Sequence, residues 1–421
     1  MNTSEKPSDD DVLAVVAHVT LSPEIYLKSA TVGRKFAKKL RKNMRAALGP
    51  INVEMRQLGT ARLEIKTSDY KTVADRLARV FGIHSIARVQ TFRFETLDDL
   101  VDTLTPHTQP LVVGKRFAVR VRRRGAHEWR GADLERALGA ALFPASDGVD
   151  LTNPQETVQV RIEGQRAHVL LDRIEGAGGM PLASQGRALV LLSGGFDSPV
   201  AAWSLMRRGV AVEFVHFKLE CSQSDHALAV GQQLWSEWGM GSRGRVHILE
   251  FQPVKDALRE QLDPRLRQIV LKRLMMMAGD GVAARLGIPV LATGEAIGQV
   301  SSQTFPHLVE LDQAIERPIF RPLLTVDKNT IVQMSRRIGT FDLSSRAVEV
   351  CDLSDGNPVA TRAKHRDIVD AEGKLGATIV DDALDQWEVA DLSAWLPGEP
   401  LRKFDSAIDS PAWLRDGAAQ P

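Results

Sequence analysis

The chain has 421 residues, 43% of them hydrophobic and 25% charged, which argues against disorder over most of its length and leaves room for roughly two to four domains with buried cores. The formal charge of +1 averages over opposed segments: 28–45 holds eight Lys/Arg and no acid, 115–130 holds seven against Glu128, and 381–421 holds nine Asp/Glu against three basic residues. Two cysteines, Cys221 and Cys351, exclude a disulfide scaffold and a four-thiolate zinc site; a polar, acidic N-terminus and the lack of any apolar run near ~20 residues lead us to expect a cytoplasmic protein with reduced thiols and no membrane contact.

In chain order, 1–11 reads as a disordered tail and 12–19 as a strand. A helix follows over 32–48, with Phe36, Leu40 and Met44 on one stripe and Arg34, Lys35, Lys38, Lys39, Arg41, Lys42 and Arg45 around the rest. It is either a solvated amphipathic helix or a phosphate-binding one; seven uncompensated cations favour phosphate contact. Strands are expected over 60–66 and 83–94, and helices over 70–80 and 97–104. In the strand 117–124 (FAVRVRRR), Arg120, Arg122 and Arg124 share one face and Val119, Val121 and Arg123 the other. A helix over 132–142 and a hairpin within 158–171, turning at Glu163-Gly164, complete this half, with a boundary in GAGGMP at 176–181.

The apolar strand of 188–192 ends in Ser193-Gly194-Gly195-Phe196-Asp197-Ser198, and a helical pattern starts at Pro199. Adjacent glycines allow a sharp turn and close approach to a ligand, Ser198 suits an N-cap and Pro199 a first helical position. The free N–H groups of such a helix end, with the Ser193 and Ser198 hydroxyls, can hold a polyphosphate. No Lys follows the second glycine, so this is not a Walker loop. Strand and helix then alternate: strands over 210–218, 246–251 and 289–292, helices over 225–238, 269–286 and 328–337. That pattern predicts a parallel sheet with its ligand beyond the strands' carboxyl ends, where both the 193–198 turn and the polar loop 293–304 (TGEAIGQVSSQT) fall.

SGGFDS resembles the PP-loop of ATP pyrophosphatases. PEIYLKS (23–29), FAVRVRRRGAHEWRGADLERALGAAL (117–142) and GAGGMPLASQGRALVLLSGGFDSPVAAWSLMRRG (176–209) resemble the tRNA 4-thiouridine synthetase (tRNA sulfurtransferase) family, in order and over about 12–364. The resemblance implies an α/β multidomain chain: a ferredoxin-like domain over 12–67, a THUMP RNA-binding domain over 68–173, a PP-loop ATP pyrophosphatase domain with a parallel sheet over 174–390, and an acidic tail over 391–421. It implies ATP-dependent activation of a tRNA uridine, at position 8, whose O4 is replaced by persulfide sulfur to give 4-thiouridine. Family members also supply sulfur for thiamine thiazole synthesis. The competing reading is a PP-loop enzyme acting on a small molecule, which the basic clusters argue against.

For the site, the resemblance implies Leu191, Leu192, His216 and Phe217 around the nucleoside, Ser193, Gly194, Gly195, Asp197 and Ser198 on the pyrophosphate, and Lys272, Gly294 and Gln303 completing the ATP site. Asp197 is expected to orient Mg2+ or the phosphates, although a helix-capping Asp is the structural alternative. Lys272 alone reads as an exposed helix charge, Met275–Met277 as core, and His226 and His247 as ordinary polar or core histidines. No dedicated protein metal site is expected. Cys351 falls where the family keeps its catalytic cysteine, as the persulfide carrier; Asp352 beside it would raise the thiol pKa. Some relatives append a rhodanese domain, and too few residues follow Cys351 for one, so the chain is expected in the class without it. Cys221 is the candidate resolving thiol. Lys38, Lys39, Arg41, Lys42, Arg120, Arg122, Arg123, Arg124 and Arg130 are expected to contact tRNA phosphates. Expected partners are tRNA and a cysteine desulfurase or other persulfide donor, with a homodimer left open.

Overall fold

The computed structural model describes residues 15–220, 224–300, 303–347, 353 and 360–411. Cys221 and Cys351 lie outside these residues. The chain divides into two units, residues 1–33 with 48–178, and 34–47 with 179–421.

The first unit runs β1 (Val15–Leu21), α1 (Pro23–Tyr26), α2 (Ala30–Leu48, only its two ends), β2 (Glu54–Gln57), β3 (Arg62–Thr67), α3 (Tyr70–Ala78), β4 (Ile83–Arg93), α4 (Leu97–Val112), β5 (Arg116–Arg124), α5 (Gly131–Leu142), β6 (Gly148–Val149), β7 (Glu156–Glu163) and β8 (Arg166–Glu175). Its strands form one eight-stranded sheet in the order β2-β3-β1-β4-β8-β7-β5-β6. The 11-residue β4 is the joint: it pairs antiparallel with β1 on one side and with β8 on the other. Apolar residues of α4, α5, β5, β7 and β8 close a core around Leu104, Phe117, Leu138 and Ile162.

Helix α4 extends eight residues past its expected end, through Pro106 and Pro110. Proline in a helix interior removes a hydrogen bond and usually breaks it. Here Leu100, Leu104, Thr108 and Val112 form a buried stripe at i, i+4 spacing, which leaves both prolines on the solvent side. Burial of that stripe outweighs the local cost.

The second unit contains β9 (Arg187–Leu191), α6 (Asp197–Arg207), β10 (Ala211–Lys218), α7 (Ser224–Trp238), β11 (Arg245–Glu250), α8 (Gln252–Gln261), α9 (Pro264–Leu286), β12 (Leu291–Ala292), α10 (Phe305–Asp312), β13 (Ile319–Phe320), α11 (Lys328–Ile338), α12 (Phe341–Ser344), α13 (His365–Lys374), α14 (Ile379–Asp385), β14 (Glu388–Asp391), β15 (Arg402–Lys403) and α15 (Ser406–Asp409). The sheet order is β13-β12-β9-β10-β11-β14-β15. The first five strands are parallel, as expected, and β14 and β15 add an antiparallel edge. Helix α8 was not anticipated, and α9 begins five residues before the expected 269, where Asp263 caps it and Pro264 takes the first position.

Residues 34–47 of α2 cluster with this second unit. Asn43 is buried there and its Nδ2 donates to Leu182 O at 3.1 Å. The far edge of the sheet is tied by a buried ionic network. Glu213 accepts from Arg187, from Arg245 (2.8 Å) and from His247 Nε2 (3.1 Å). Arg245 also reaches Asp409 at 3.1 Å, which in turn holds Arg402 at 2.8 Å. Trp387 Nε1 donates to His247 Nδ1, so the neutral ring carries its proton on Nε2, facing Glu213. Residues 391–411, acidic in sequence, thus include a carboxylate spent on internal pairing.

Candidate active site

Parallel sheets bind ligands where the connections on neighbouring strands run to opposite faces. Among the parallel strands, β9 is followed in space by β10 and β11 on one side and by β12 and β13 on the other, so that point lies between β9 and β12. The 193–198 turn leaves β9 and the 293–304 loop leaves β12. Pairing of Leu291 with Leu189 and of Ala292 with Val190 brings the two loops out side by side.

The turn closes on itself. Ser198 Oγ donates to Ser193 O at 3.0 Å and accepts from Ser193 N at 3.0 Å, with Ser193 Oγ 3.2 Å away. Helix α6 starts at Asp197, not Pro199, and its cap position is Phe196. The expectation of Ser198 as N-cap is therefore corrected: it is the second helical residue, buried, and its hydroxyl fastens the turn. Pro199 sits third, where its missing N–H is still one of the helix's unbonded donors. Gly294 presses on the same helix end, and a Cβ there would lie 2.7 Å from Asp197 C and 2.8 Å from Ser198 N. Only glycine lets the two loops approach this closely.

Asp197 faces two donors the sequence did not announce. Lys328 Nζ, from the first position of α11, lies 2.8 and 3.0 Å from its two carboxylate oxygens, and Gln299 Nε2 donates to Oδ2 at 3.0 Å. The ammonium also stands 5.6 Å from the centre of the Phe196 ring. On the other flank, Ser344 Oγ of α12 donates to Gly195 O at 3.2 Å, and the Phe341 and Phe196 rings are 5.5 Å apart. The chain that leads toward 348–352 therefore starts from the turn itself. Beyond that stretch, Leu353 is buried and its N donates to Gln268 Oε1 of α9 at 3.4 Å.

His216, at the end of β10, is buried; its Nδ1 lies 3.0 Å from Leu192 O, which as an acceptor takes the Nδ1 proton. Burial lowers its pKa, against the opposing effect of that bond, so the ring is neutral and Nε2 is left as an acceptor without a partner. Leu192 is buried and Leu191 half-buried beside it, while the Phe217 ring belongs to the core and meets Phe251 edge-on at 4.8 Å. Lys272 is not a free surface charge: its Nζ is 3.8 Å from Glu295 Oε1, and Glu295 also accepts from Arg321 (2.8 Å) and Thr293 (2.9 Å). Gln303 is buried; its side chain accepts from Ala296 N at 3.4 Å and its carbonyl from Gly298 N at 2.9 Å, which folds the loop onto itself. Met275 and Met277 pack on the main core and Met276 lies within it.

The expected phosphate-binding cations fall on both units. Lys38, Arg41 and Lys42 are exposed on the stretch of α2 that belongs to the second unit, and Lys39 is half-buried. In the first unit Arg120, Arg122 and Arg124 share the exposed face of β5. Arg120 is engaged with Leu151 O at 2.6 Å, Arg123 lies over Trp129 and contacts His127, and Arg130 caps α5 through its backbone N–H to Asp133. No group of three or more His, Cys, Asp or Glu able to hold a metal occurs among the described residues, and no helix there is long and apolar enough to cross a membrane.

Three family profiles match in chain order: the ThiI ferredoxin-like domain over 22–87, the THUMP domain over 94–172 and "Thiamine biosynthesis protein (ThiI)" over 183–376. A tRNA sulfurtransferase of Desulfurococcus amylolyticus is 36% identical over 395 residues, 93% of this chain and 82% of its own. One from Yersinia enterocolitica is 36% identical over 89% of this chain and 79% of its own. Among solved structures, a 4-thiouridine synthetase crystallised with RNA and ATP superposes with a TM-score of 0.75 at 26% identity, over 89% of this chain and 99% of that one. Likeness in sequence along nearly the whole chain, and in fold across both units, leads to one conclusion: the chain belongs to the tRNA sulfurtransferase family.

Proposed function

We propose that the protein is an ATP-dependent tRNA sulfurtransferase that converts a uridine, at position 8, to 4-thiouridine. One observation carries this reading: the Ser193–Ser198 turn and the Gly294 loop meet at the switch point of the parallel sheet, in a chain of this family. The residues fit ATP. The turn is stripped of side chain where Gly194 and Gly195 stand, it heads an 11-residue helix, and a buried imidazole nitrogen without a partner lies at the neighbouring strand end.

ATP supplies the leaving group that uracil O4 lacks. The chain's own residues do the rest. Backbone N–H groups of the turn and of the start of α6 bind the phosphates, and Ser193 and Ser198 keep the turn's shape through their mutual bonds. His216 Nε2, an acceptor, suits the amino group of adenine, next to Leu191 and Leu192. Asp197 is held by Lys328 and Gln299, so Mg2+ brought in with the phosphates would meet a carboxylate already oriented and partly neutralised. Lys272, held 3.8 Å from Glu295, is the further lysine of the ATP site in this reading.

Cys351 carries the sulfur in this reading, as a persulfide, with Cys221 as resolving thiol. Support comes from anchoring on either side: Ser344 on the turn and Leu353 on α9. The exposed faces of α2 and β5 bind tRNA phosphates. A cysteine desulfurase or other persulfide donor charges Cys351, the setting is cytoplasmic, and the same sulfur serves thiamine thiazole formation. The test is to incubate purified protein with tRNA transcript, ATP, Mg2+, a persulfide source and a thiol reductant, which returns the Cys221–Cys351 disulfide left by each transfer to two thiols. AMP and 4-thiouridine are expected in equal amounts, and neither from Cys351→Ala over many turnovers; AMP and thiolated product both absent from wild type would refute the proposal.

A further inference from the structure

The sequence predicts an ordinary polar or core histidine at His226, and its position is not ordinary. It comes from the first turn of α7, and the Cδ2–Nε2 edge of its ring lies on the α-carbon of Gly194. A Cβ built on that glycine would stand 2.3 Å from Cδ2 and 3.0 Å from Nε2. This Nε2 is buried and has no hydrogen-bond partner. A buried polar atom without a partner is destabilising, and a ring kept only for packing could be replaced by an apolar one without that penalty. Its neighbour is the turn that heads α6, whose first N–H groups have no acceptor within the helix, a place that favours anions. An imidazole N–H is the matching donor for a phosphate oxygen.

We propose that His226 donates its Nε2–H to the phosphate chain of ATP bound on the 193–198 turn, adding a side-chain contact to those of the backbone. The assignment rests on the reading that this turn binds ATP. The phosphate oxygens are charged before any bond breaks, so the contact stabilises bound ATP and the transition state alike. Its loss therefore appears in ATP affinity and ATP KM and leaves kcat nearly unchanged.

The test compares His226→Phe, which keeps a ring over Gly194 without the donor, with His226→Gln, which returns an N–H near the position of Nε2. Both are made in the full-length protein. ATP binding is measured by titration calorimetry without tRNA, and KM and kcat from AMP release with tRNA. The phenylalanine variant is expected to bind ATP roughly ten- to hundredfold more weakly, the range for a hydrogen bond to a charged group. Its kcat should stay within about threefold and its tRNA affinity should not change, while the glutamine variant recovers most of the loss. If the phenyl ring prevents folding, His226→Ala takes its place against glutamine. Wild-type ATP affinity in the variant lacking the donor overturns the assignment, as does equal impairment with glutamine, which would mean packing alone. Wild-type protein that binds no ATP would instead overturn the reading of the turn itself.

Discussion

Replacing Gly294 by alanine tests whether the approach of the two loops sets the rate. The added Cβ would meet Asp197 C at 2.7 Å, Ser198 N at 2.8 Å and Asp197 Cβ at 2.9 Å. Two of these are backbone atoms and cannot rotate away. Ordinary carbon contacts begin near 3.4 Å, so the loop and the head of α6 must part by roughly 0.7 Å. Overpacking of this kind costs about 1–3 kcal/mol, or roughly 2–12 °C in melting temperature for a unit of this size. The larger effect is on chemistry: a displacement approaching 1 Å at a positioning element can lower the rate by about 10²-fold. AMP release in the presence of tRNA, followed alongside a thermal melt, separates the two. Gly298→Ala is the control, because nothing lies within 4 Å of a Cβ there and only its backbone angle of φ 73° is strained. Gly294→Ala turning over within twofold of wild type, at an unchanged melting temperature, would refute the argument.

Lys328→Ala should lower turnover at least about tenfold, because Asp197 loses the donor that spans both its oxygens. Its melting temperature should hardly change, since half-exposed ion pairs contribute under about 1 kcal/mol; a loss of stability with full activity would contradict this. The Glu213 network predicts acid sensitivity. Burial raises the pKa of this carboxyl, but His247, Arg245 and Arg187 overcome it and bring it down to about 2 from 4.5. Its stabilisation, roughly 3 kcal/mol, is present in full above the unfolded value near 4.5 and is lost as pH falls toward about 2. Urea unfolding of wild type against Glu213→Gln should converge between pH 5 and about pH 2.5, and a constant difference would argue against the network. Converting Arg122, Arg123 and Arg124 to glutamine should flatten the salt dependence of tRNA binding by up to about 0.9 per lost phosphate contact; an unchanged slope would remove β5 from the RNA surface.

Local chemistry was readable, and pairings made by the fold were not. The run ALVLL, then SGGFDS, announces strand, turn and helix because period, glycines and proline all agree at one place. Lys328 could not be found that way: it lies 131 residues from Asp197, and only the adjacency of β9 and β12 brings its helix to the turn. Lys272 looked like a helix charge because its partner Glu295 sits on another loop. The sequence pattern predicts α4 only to 104, since the buried stripe that carries it through Pro106 and Pro110 is a property of the core and not of the segment. Serine favours a cap position, so the sequence predicts Ser198 there, whereas its hydroxyl closes the loop five residues back. His226 carried no signal, as its meaning depends on which glycine it covers.

The assignment of 34–47 to the C-terminal unit has a consequence for how the protein comes into being. During synthesis that helix leaves the ribosome well over a hundred residues ahead of Leu182, whose carbonyl Asn43 will bind, so this bond forms only once the second unit has been made. A fragment starting at 179 would lack Asn43, leave the Leu182 carbonyl without that donor and open a gap beside Gly241. The nucleotide-handling body is in this sense woven from both ends of the chain, and cannot be lifted out by cutting between two stretches of sequence.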